Sequence, residues 1–280
     1  MTLDLRTRRR LSSIVRHAAG VAVAVVIVFP IYWLVGMSFK TELQTYEMPP
    51  IFFPIPNLDN YRSAFELRPL GAYILNSVVI TTSVTLLWVT LGSLAGYGFS
   101  RLRIKGKRWI IFGMLATRMI PPITLVFPLF LVMREAGLLD TKLALILAYT
   151  TFNVPFATFL MHGFFEAVPK ELDEAAMIDG CTRVRAFFLV VLPAVRPGLV
   201  ATAIMCTLLA WKDFLWALNF TYTPASQTIP IGITTYQSSI GVNWGPMSAV
   251  AVLSFLPLML FALFLQKYMI KGLMSGAVKG

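Results

Sequence analysis

Residues 171–193, ELDEAAMIDGCTRVRAFFLVVLP, form a short polar island between two long apolar runs. Pro169, just ahead of it, suits the first turn of a helix, where its missing N–H leaves no bond unmade. Glu171, Asp173 and Glu174 then place negative charge near the positive end of the helix dipole. Ala175 and Ala176 favour helix and are small enough to let another surface approach closely. Gly180 tolerates a left-handed turn and is expected to end that helix. From Arg183 to Leu192 an amphipathic stretch begins again, and Pro193 and Pro197 punctuate the route into the next apolar run. The expectation is two short helices at an angle, presenting a compact surface.

The chain around the island is 280 residues long, 57% hydrophobic and 13% charged, with mean hydropathy +0.74. A soluble domain carries about 25% charged residues, so this composition points to a membrane protein. Six apolar runs are long enough to span: 18–37, 71–92, 109–133, 142–164, 198–220 and 246–267. Each has about 20 residues or more, enough for roughly 30 Å of hydrocarbon. Only helices or closed barrels satisfy backbone polar groups in lipid. These runs are too long and too uniformly apolar for barrel strands, so the expectation is an all-α polytopic membrane protein with six transmembrane helices. The first run follows arginines as a signal peptide would, but the MSFKTEL after it has no small-residue cleavage site, which favours an uncleaved anchor.

Basic residues set the orientation. Arg6, Arg8, Arg9, Arg10 and Arg16 lie on one side, with Arg101, Arg103, Lys105, Lys107 and Arg108. The same side takes Lys170, Arg183, Arg185, Arg196, Lys267, Lys271 and Lys279, against Lys40, Arg62, Arg68, Arg134 and Lys142 on the other. Both termini and the polar island are therefore expected in the cytoplasm. The net charge of +11 needs no nucleic acid: each basic cluster borders a span, where topology and anionic lipid head groups explain it. Cys181 and Cys206 offer neither a disulfide framework nor a metal site. His17 and His162 are isolated, no catalytic or metal cluster is apparent, and no phosphate-binding G-x-x-x-x-G-K-[ST] loop exists.

The island also reads Glu174-Ala175-Ala176, three residues, Gly180, nine residues, then Val190-x-Leu192-Pro193. That spacing resembles the EAA loop of ATP-binding-cassette (ABC) importer permeases, with Val for the usual Ile. Asn76-Ser77 at the opening of the second helix, AGYGFSRL at 95–102, MIPP at 119–122 and the ending GLMSGAVKG at 272–280 are similar to the sugar-importing, maltose-permease-like branch of that family. The resemblance implies a MetI-like importer permease fold in a single domain, 1–280. Its parts would be an anchor helix 18–37, an external loop 40–69 with a short helix near 57–65, a core 71–267 containing an EAA-like loop 165–197, and a cytoplasmic tail 268–280. It implies a multi-pass protein of the bacterial inner membrane that is not itself an enzyme and imports a sugar or oligosaccharide. The partners would be a second permease in a heterodimer, two ATP-binding subunits holding ATP and Mg, and an extracytoplasmic substrate-binding protein. Glu171, Glu174, Ala175, Ala176, Asp179, Gly180, Leu192 and Pro193 would meet the ATPase, and Ser275, Gly276 and Lys279 of the tail would add a contact. Two departures bear on the substrate: Lys212 stands where the family more usually has Asn or Gln, and Arg118 is charged in a helix that is mostly apolar in relatives.

Charged residues inside spans mark candidates for the pathway. Arg118 lies about nine residues into the third run, roughly 13 Å deep. Lys212 and Asp213 lie in the outer half of the fifth, about 100° apart around a helix. An Arg118–Asp213 ion pair and a pathway role both remain open, and Lys212 is the residue expected to face the pathway. Asn153 could bind substrate or join helices. Pro121-Pro122, Pro128 and Pro155 are expected to interrupt their helices, and Gly92-x-x-x-Gly96 permits close helix packing. The alternatives to a sugar importer are a permease for an anionic polyol of the glycerophosphate type, or an ion-coupled secondary transporter using Asp213 and Lys212.

Overall fold

The computed structural model describes residues 5–238 and 241–277, with side chains from residue 13 to 238, 241 to 261 and at 263. In chain order the helices are α1 Leu5–Ser38, α2 Glu42–Tyr46, α3 Asp59–Leu67, α4 Leu70–Arg101, α5 Lys107–Ala116, α6 Pro122–Glu135 and α7 Lys142–Glu166. They continue as α8 Glu171–Ile178, α9 Arg183–Ala186, α10 Leu192–Ala194, α11 Arg196–Trp211, α12 Leu215–Phe220, α13 Ile229–Thr234 and α14 Trp244–Ala277. A 3₁₀ turn, Thr117–Met119, follows α5, and a π turn, Phe187–Val191, joins α9 to α10. Among the described residues there is no strand, only an isolated bridge between Gln237 and Val242.

Among the described residues, four single helices are long and apolar enough to cross a membrane: Ser13–Ser38, Leu70–Arg101, Lys142–Glu166 and Trp244–Phe261. Two bent pairs bring the number to six, Lys107–Met119 with Pro122–Glu135 at 93° and Arg183–Ala194 with Arg196–Trp211 at 79°. Two of the expected runs need correction. Run 109–133 is not one helix: Ile120 is extended (φ −73°, ψ 121°) ahead of Pro121, as a residue preceding proline prefers to be. Run 198–220 stops at Trp211, and α12 is a separate piece beyond a break at Lys212–Phe214. Pro128 and Pro155, expected to interrupt, lie inside α6 and α7. A lone proline forfeits one backbone bond, which packed neighbours in a membrane helix can tolerate.

The described residues fall into two compact units. One holds the chain up to Arg68 together with Ile233–Leu253. There the loop after α1 is tied down by its own polar groups. Asn60 Nδ2 donates to the carbonyls of Ser38 (3.0 Å) and Lys40 (2.7 Å), and the Tyr236 hydroxyl donates to Ala64 O at 2.6 Å. Lys40 is buried, with its ammonium 4.3 Å from the Trp33 ring centroid.

The other unit holds Pro69–Gly232 and the described residues from Ser254 onward, built around α4 and α7. Gly92 and Gly96 explain how closely these two helices approach. A Cβ at Gly92 would lie 2.8 Å from Ala157 backbone, and one at Gly96 would lie 2.7 Å from the His162 nitrogen. The small-xxx-small spacing is therefore used as a packing seam. Ile80, Val84 and Trp88 of α4 bury against Ala144, Leu145 and Ala148 of α7, with Cys206 and Ala210 of α11 and Trp216 and Phe220 of α12 closing the same core. Asn76 and Ser77 lie more than a turn inside α4 rather than at its opening. Both are buried and hold the 224–229 loop: Asn76 Nδ2 donates to the carbonyls of Pro224 (2.9 Å) and Gln227 (2.8 Å), and the Ser77 hydroxyl accepts from Ile229 N (2.8 Å).

Candidate functional site

The polar island folds into the expected pair of short helices. Asp173 N and Glu174 N reach back to Lys170 O at 3.0 and 3.2 Å, so Pro169 sits just before α8 and not in its first turn. The far end closes as a Schellman motif. Gly180, at φ +87°, donates to Met177 O (3.1 Å), and Cys181 N donates to Ala176 O (3.0 Å). The Thr182 hydroxyl then caps α9 by accepting from Arg185 N at 3.3 Å. The chain leaves through the π turn and α10, and bends by 79° into α11.

Periodicity on α8 separates two faces. Asp173 and Ala176, three apart and each 6% exposed, point inward. Glu171, Glu174, Ala175, Asp179 and Gly180 are exposed, joined by Ile178 and by Val184 of α9, which leave 86% and 67% of their surface open. Leu192 and Pro193 are half-buried in the joint below. Of the residues expected to meet a partner, Ala176 is thus turned into the protein. The outward face mixes carboxylates with bare aliphatic side chains, the make-up of a docking surface more than of a solvated loop.

What anchors this element was not singled out from the sequence. Asp173 is gripped by α4: Arg101 Nε donates to Oδ2 and the Tyr97 hydroxyl to Oδ1, each at 2.7 Å. The Arg101 and Asp173 side chains are only 3% and 9% exposed. Arg101 also donates from its two terminal nitrogens to Phe165 O (3.1 Å) and Val168 O (3.0 Å), the carbonyls at the end of α7 and just past it. One guanidinium therefore binds three elements. Beneath it Tyr97 packs on Phe187 of the π turn and on Phe165, with ring centroids 4.7 and 5.7 Å apart. A buried pair supports structure only when its hydrogen bonds are complete, and here Arg101 and both Asp173 oxygens are engaged. The available signal was the Tyr97–Arg101 spacing of four residues, which puts both on one face of α4.

The four candidates for the pathway come together elsewhere in the same unit. Arg118, Asn153, Lys212 and Asp213 line one pocket of ≈ 300 Å³. The pocket lies where the run 109–133 breaks, at Thr117–Pro122, and where α11 gives way to α12, at Lys212–Trp216. Arg118 does not pair with Asp213: no such ion pair exists among the described residues. Its Nη1 donates to Asn153 Oδ1 at 2.7 Å, and its guanidinium lies 4.7 Å from the Phe156 ring centroid. Asp213 caps α12, accepting from Trp216 N at 3.2 Å. Lys212, at the C-terminal end of α11, is exposed. A charge within a span costs about 2.5–3.5 kcal/mol on insertion scales, and a helix C-terminus returns only about 0.3–1 kcal/mol to a cation. Position at helix ends alone does not account for two such cations.

A third polar centre was also missed. Asp140, itself at φ +59°, accepts from the backbone of Tyr222 (2.8 Å) and Thr223 (2.9 Å) and from the hydroxyls of Thr223 (2.6 Å) and Ser226. Burial raises its pKa, but these donors outweigh burial and bring it down to about 2. Ser275 and Gly276 lie in the last part of α14, and Lys279 lies outside the described residues. No group of three potential metal ligands exists among the described residues, and Cys181 and Cys206 are free thiols.

Residues 88–275 match the family described as "Binding-protein-dependent transport system inner membrane component". The sulfoquinovosyl glycerol transport system permease protein of Agrobacterium fabrum is 38% identical over 90% of this chain and 89% of its own length. The trehalose/maltose transport system permease protein of Thermococcus litoralis is 35% identical over 93% of this chain and 95% of its own. A chain from the structure of a bacterial ABC transporter involved in the import of the acidic polysaccharide alginate superposes with a TM-score of 0.79 at 21% identity. It covers 96% of this chain and 99% of that one, so the two share a fold.

Proposed function

The chain belongs to the family of binding-protein-dependent transport system inner membrane components, and on that premise we propose that it is the permease subunit of an ATP-driven importer for a sugar or oligosaccharide. The sugar permeases among its relatives, matched along nearly their whole length, support the substrate class. The observation that carries the mechanism is the α8–α9 element, exposed on one face and locked to α4 and α7 through Asp173 and Arg101 on the other.

In this reading the α8–α9 face sits in the cytoplasm against one of two ATP-binding subunits, which hold ATP and Mg. A second permease completes the channel, and a substrate-binding protein docks on the opposite side of the membrane. Closure of the ATPase pair displaces α8 and α9 as one piece, because Gly180 closes the far end of α8, Thr182 starts α9 directly after it and Asp173 fixes the inner face. The displacement passes to α4 and α7 through this buried ion pair, whose three guanidinium nitrogens and two carboxylate oxygens are all bonded. The pocket at the two helix breaks, within the same unit, is where the pathway changes access, as breaks in transporter helices commonly line substrate routes. An ion-coupled transporter has no use for such an element.

The test is reconstitution in proteoliposomes with an ATPase, a second permease and a binding protein as partners. Sugar uptake that requires ATP and all four components is expected. Uptake by this chain without the ATPase, driven by an ion gradient, would overturn the reading.

A further inference from the structure

We propose that Arg118 and Lys212 form an anion subsite in the pocket at the helix breaks, so that the sugar this permease passes carries a carboxylate, sulfonate or phosphate group. This rests on the sugar-importer reading above and adds to it the chemistry of the substrate.

Both cations stand on chain that has just left a helix. Arg118 lies in the 3₁₀ turn after α5, and Lys212 caps α11. The pocket they share, at ≈ 300 Å³, has room for a small ligand. Neither is neutralised by another described residue. The ion pairs among the described residues use Arg101, Lys107 and His162. Arg118 meets instead the neutral amide oxygen of Asn153 and the face of Phe156. That hydrogen bond uses one of five guanidinium donors and holds the side chain in place, leaving others for a ligand. The Phe152 carbonyl, at 3.5 Å from the same nitrogen, adds little.

The pocket also contains Asp213, which opposes an anion. Its carboxylate is turned to the start of α12, where it accepts the Trp216 N–H. Two cations against one carboxylate leave the pocket net positive. Had the pair served to stabilise the fold, Asp213 would be their counter-ion, and it is not within ion-pair distance of Arg118. An arginine fixed by an amide and a free lysine on the facing break make a usual pair of donors for a tetrahedral or planar oxyanion. Phe214, 39% exposed on the same wall, offers an apolar surface to a sugar ring.

The experiment uses the complete reconstituted transporter and a panel of saccharides: glucuronate and galacturonate disaccharides, and 6-sulfonated and 6-phosphorylated hexosides, each beside its uncharged parent. At least one acidic member is expected to be taken up about tenfold faster than its parent. In R118Q/K212Q that acid-to-parent ratio falls about tenfold, while R118K/K212R keeps it. The ratio is read because an assembly defect lowers both rates alike, and the single variant K212Q, at an exposed position, serves if the double variant does not assemble. Preferential uptake of uncharged parents, or a ratio unmoved by R118Q/K212Q or K212Q, overturns the subsite and leaves the sugar importer standing. ATP-driven uptake of no saccharide overturns the sugar reading beneath it.

Discussion

Asp173 and Asp213 are both carboxylates at the margin of a membrane span with arginine or lysine nearby, and the protein treats them in opposite ways. Asp173 is buried, bonded at 2.7 Å to Arg101 and to Tyr97, and its arginine is bonded in turn to two further carbonyls. Asp213 turns to a backbone N–H and leaves Arg118 and Lys212 to an open pocket. At the first place charge is cancelled and all three guanidinium nitrogens are bonded, which makes a rigid joint. At the second, charge is left uncancelled where a ligand could complete it. An ion pair transmits force, and an unpaired cation keeps a vacancy for chemistry from outside.

The sharpest way to break this comparison is Asp173→Asn. It leaves the Arg101 guanidinium, in a side chain 3% exposed, without a counter-charge. A loss of about 3–5 kcal/mol is expected, read as a large drop in the melting temperature of the detergent-purified complex. A change near zero would mean that Arg101 and its carbonyls suffice and that the joint is not ionic.

Gly180→Asp tests the same joint from its outer face. An added Cβ at Gly180 meets nothing within 4 Å, but φ is +87°. The backbone cost is therefore roughly 1–2 kcal/mol at most, and the protein should insert and assemble. Uptake is expected to fall about tenfold, equivalent to about 1.4 kcal/mol lost at the docking surface, while ATP hydrolysis continues uncoupled. Normal uptake with normal ATPase stimulation would remove α8 from the coupling route.

Asp140 adds an intermediate case, a carboxylate satisfied by neutral donors alone. Its pKa is lowered from 3.8 to about 2, so its contribution is complete above about pH 4 and is lost as pH falls through 2. The wild type should lose about 2–4 °C of melting temperature over that interval through this group, and Asp140→Asn should flatten that part of the profile. An unchanged acid limb would show that the 222–226 turn holds without the charge.

The smallest effects separate the partners of Arg118. Arg118→Gln and Asn153→Ala should couple by about 1 kcal/mol in a double-mutant cycle on thermal stability, because they share a charge-assisted hydrogen bond. Arg118→Gln and Asp213→Asn should add to within about 0.5 kcal/mol. Strong coupling in the second cycle would restore the ion pair that the geometry does not contain.

These contrasts also show what a sequence discloses. The end of α8 at Gly180 and the seam at Gly92 and Gly96 were legible because each depends on one residue lacking a side chain. The Asp173–Arg101 pair was not, although both residues were noticed. Each already had a sufficient local explanation, the helix dipole for one and the basic side of the membrane for the other, and nothing local joins residues 72 apart. The four pathway candidates do share a pocket, but charge complementarity suggested the wrong pairing among them. Backbone breaks at Pro121 and at Lys212–Phe214 decide where those side chains face, and only the first break has a proline to announce it. Pro128 and Pro155 warn against reading every proline as a break.

The length of α4 has a consequence for timing. Its 32 residues make a rod of about 48 Å, with Arg101 at one end and Asn76 and Ser77 near the other. The Gly92–Gly96 seam, where backbone meets backbone, leaves no soft layer in the third of the rod nearest Arg101 in which strain could dissipate. Pivoted about its centre, such a rod tilting by about 5° moves each end by about 2 Å in opposite senses. The 224–229 loop held by Asn76 and Ser77 then shifts in the same instant as α8. A single lever of this kind relays in both directions, so a load placed on the loop is felt at α8 as directly as a push on α8 is felt at the loop.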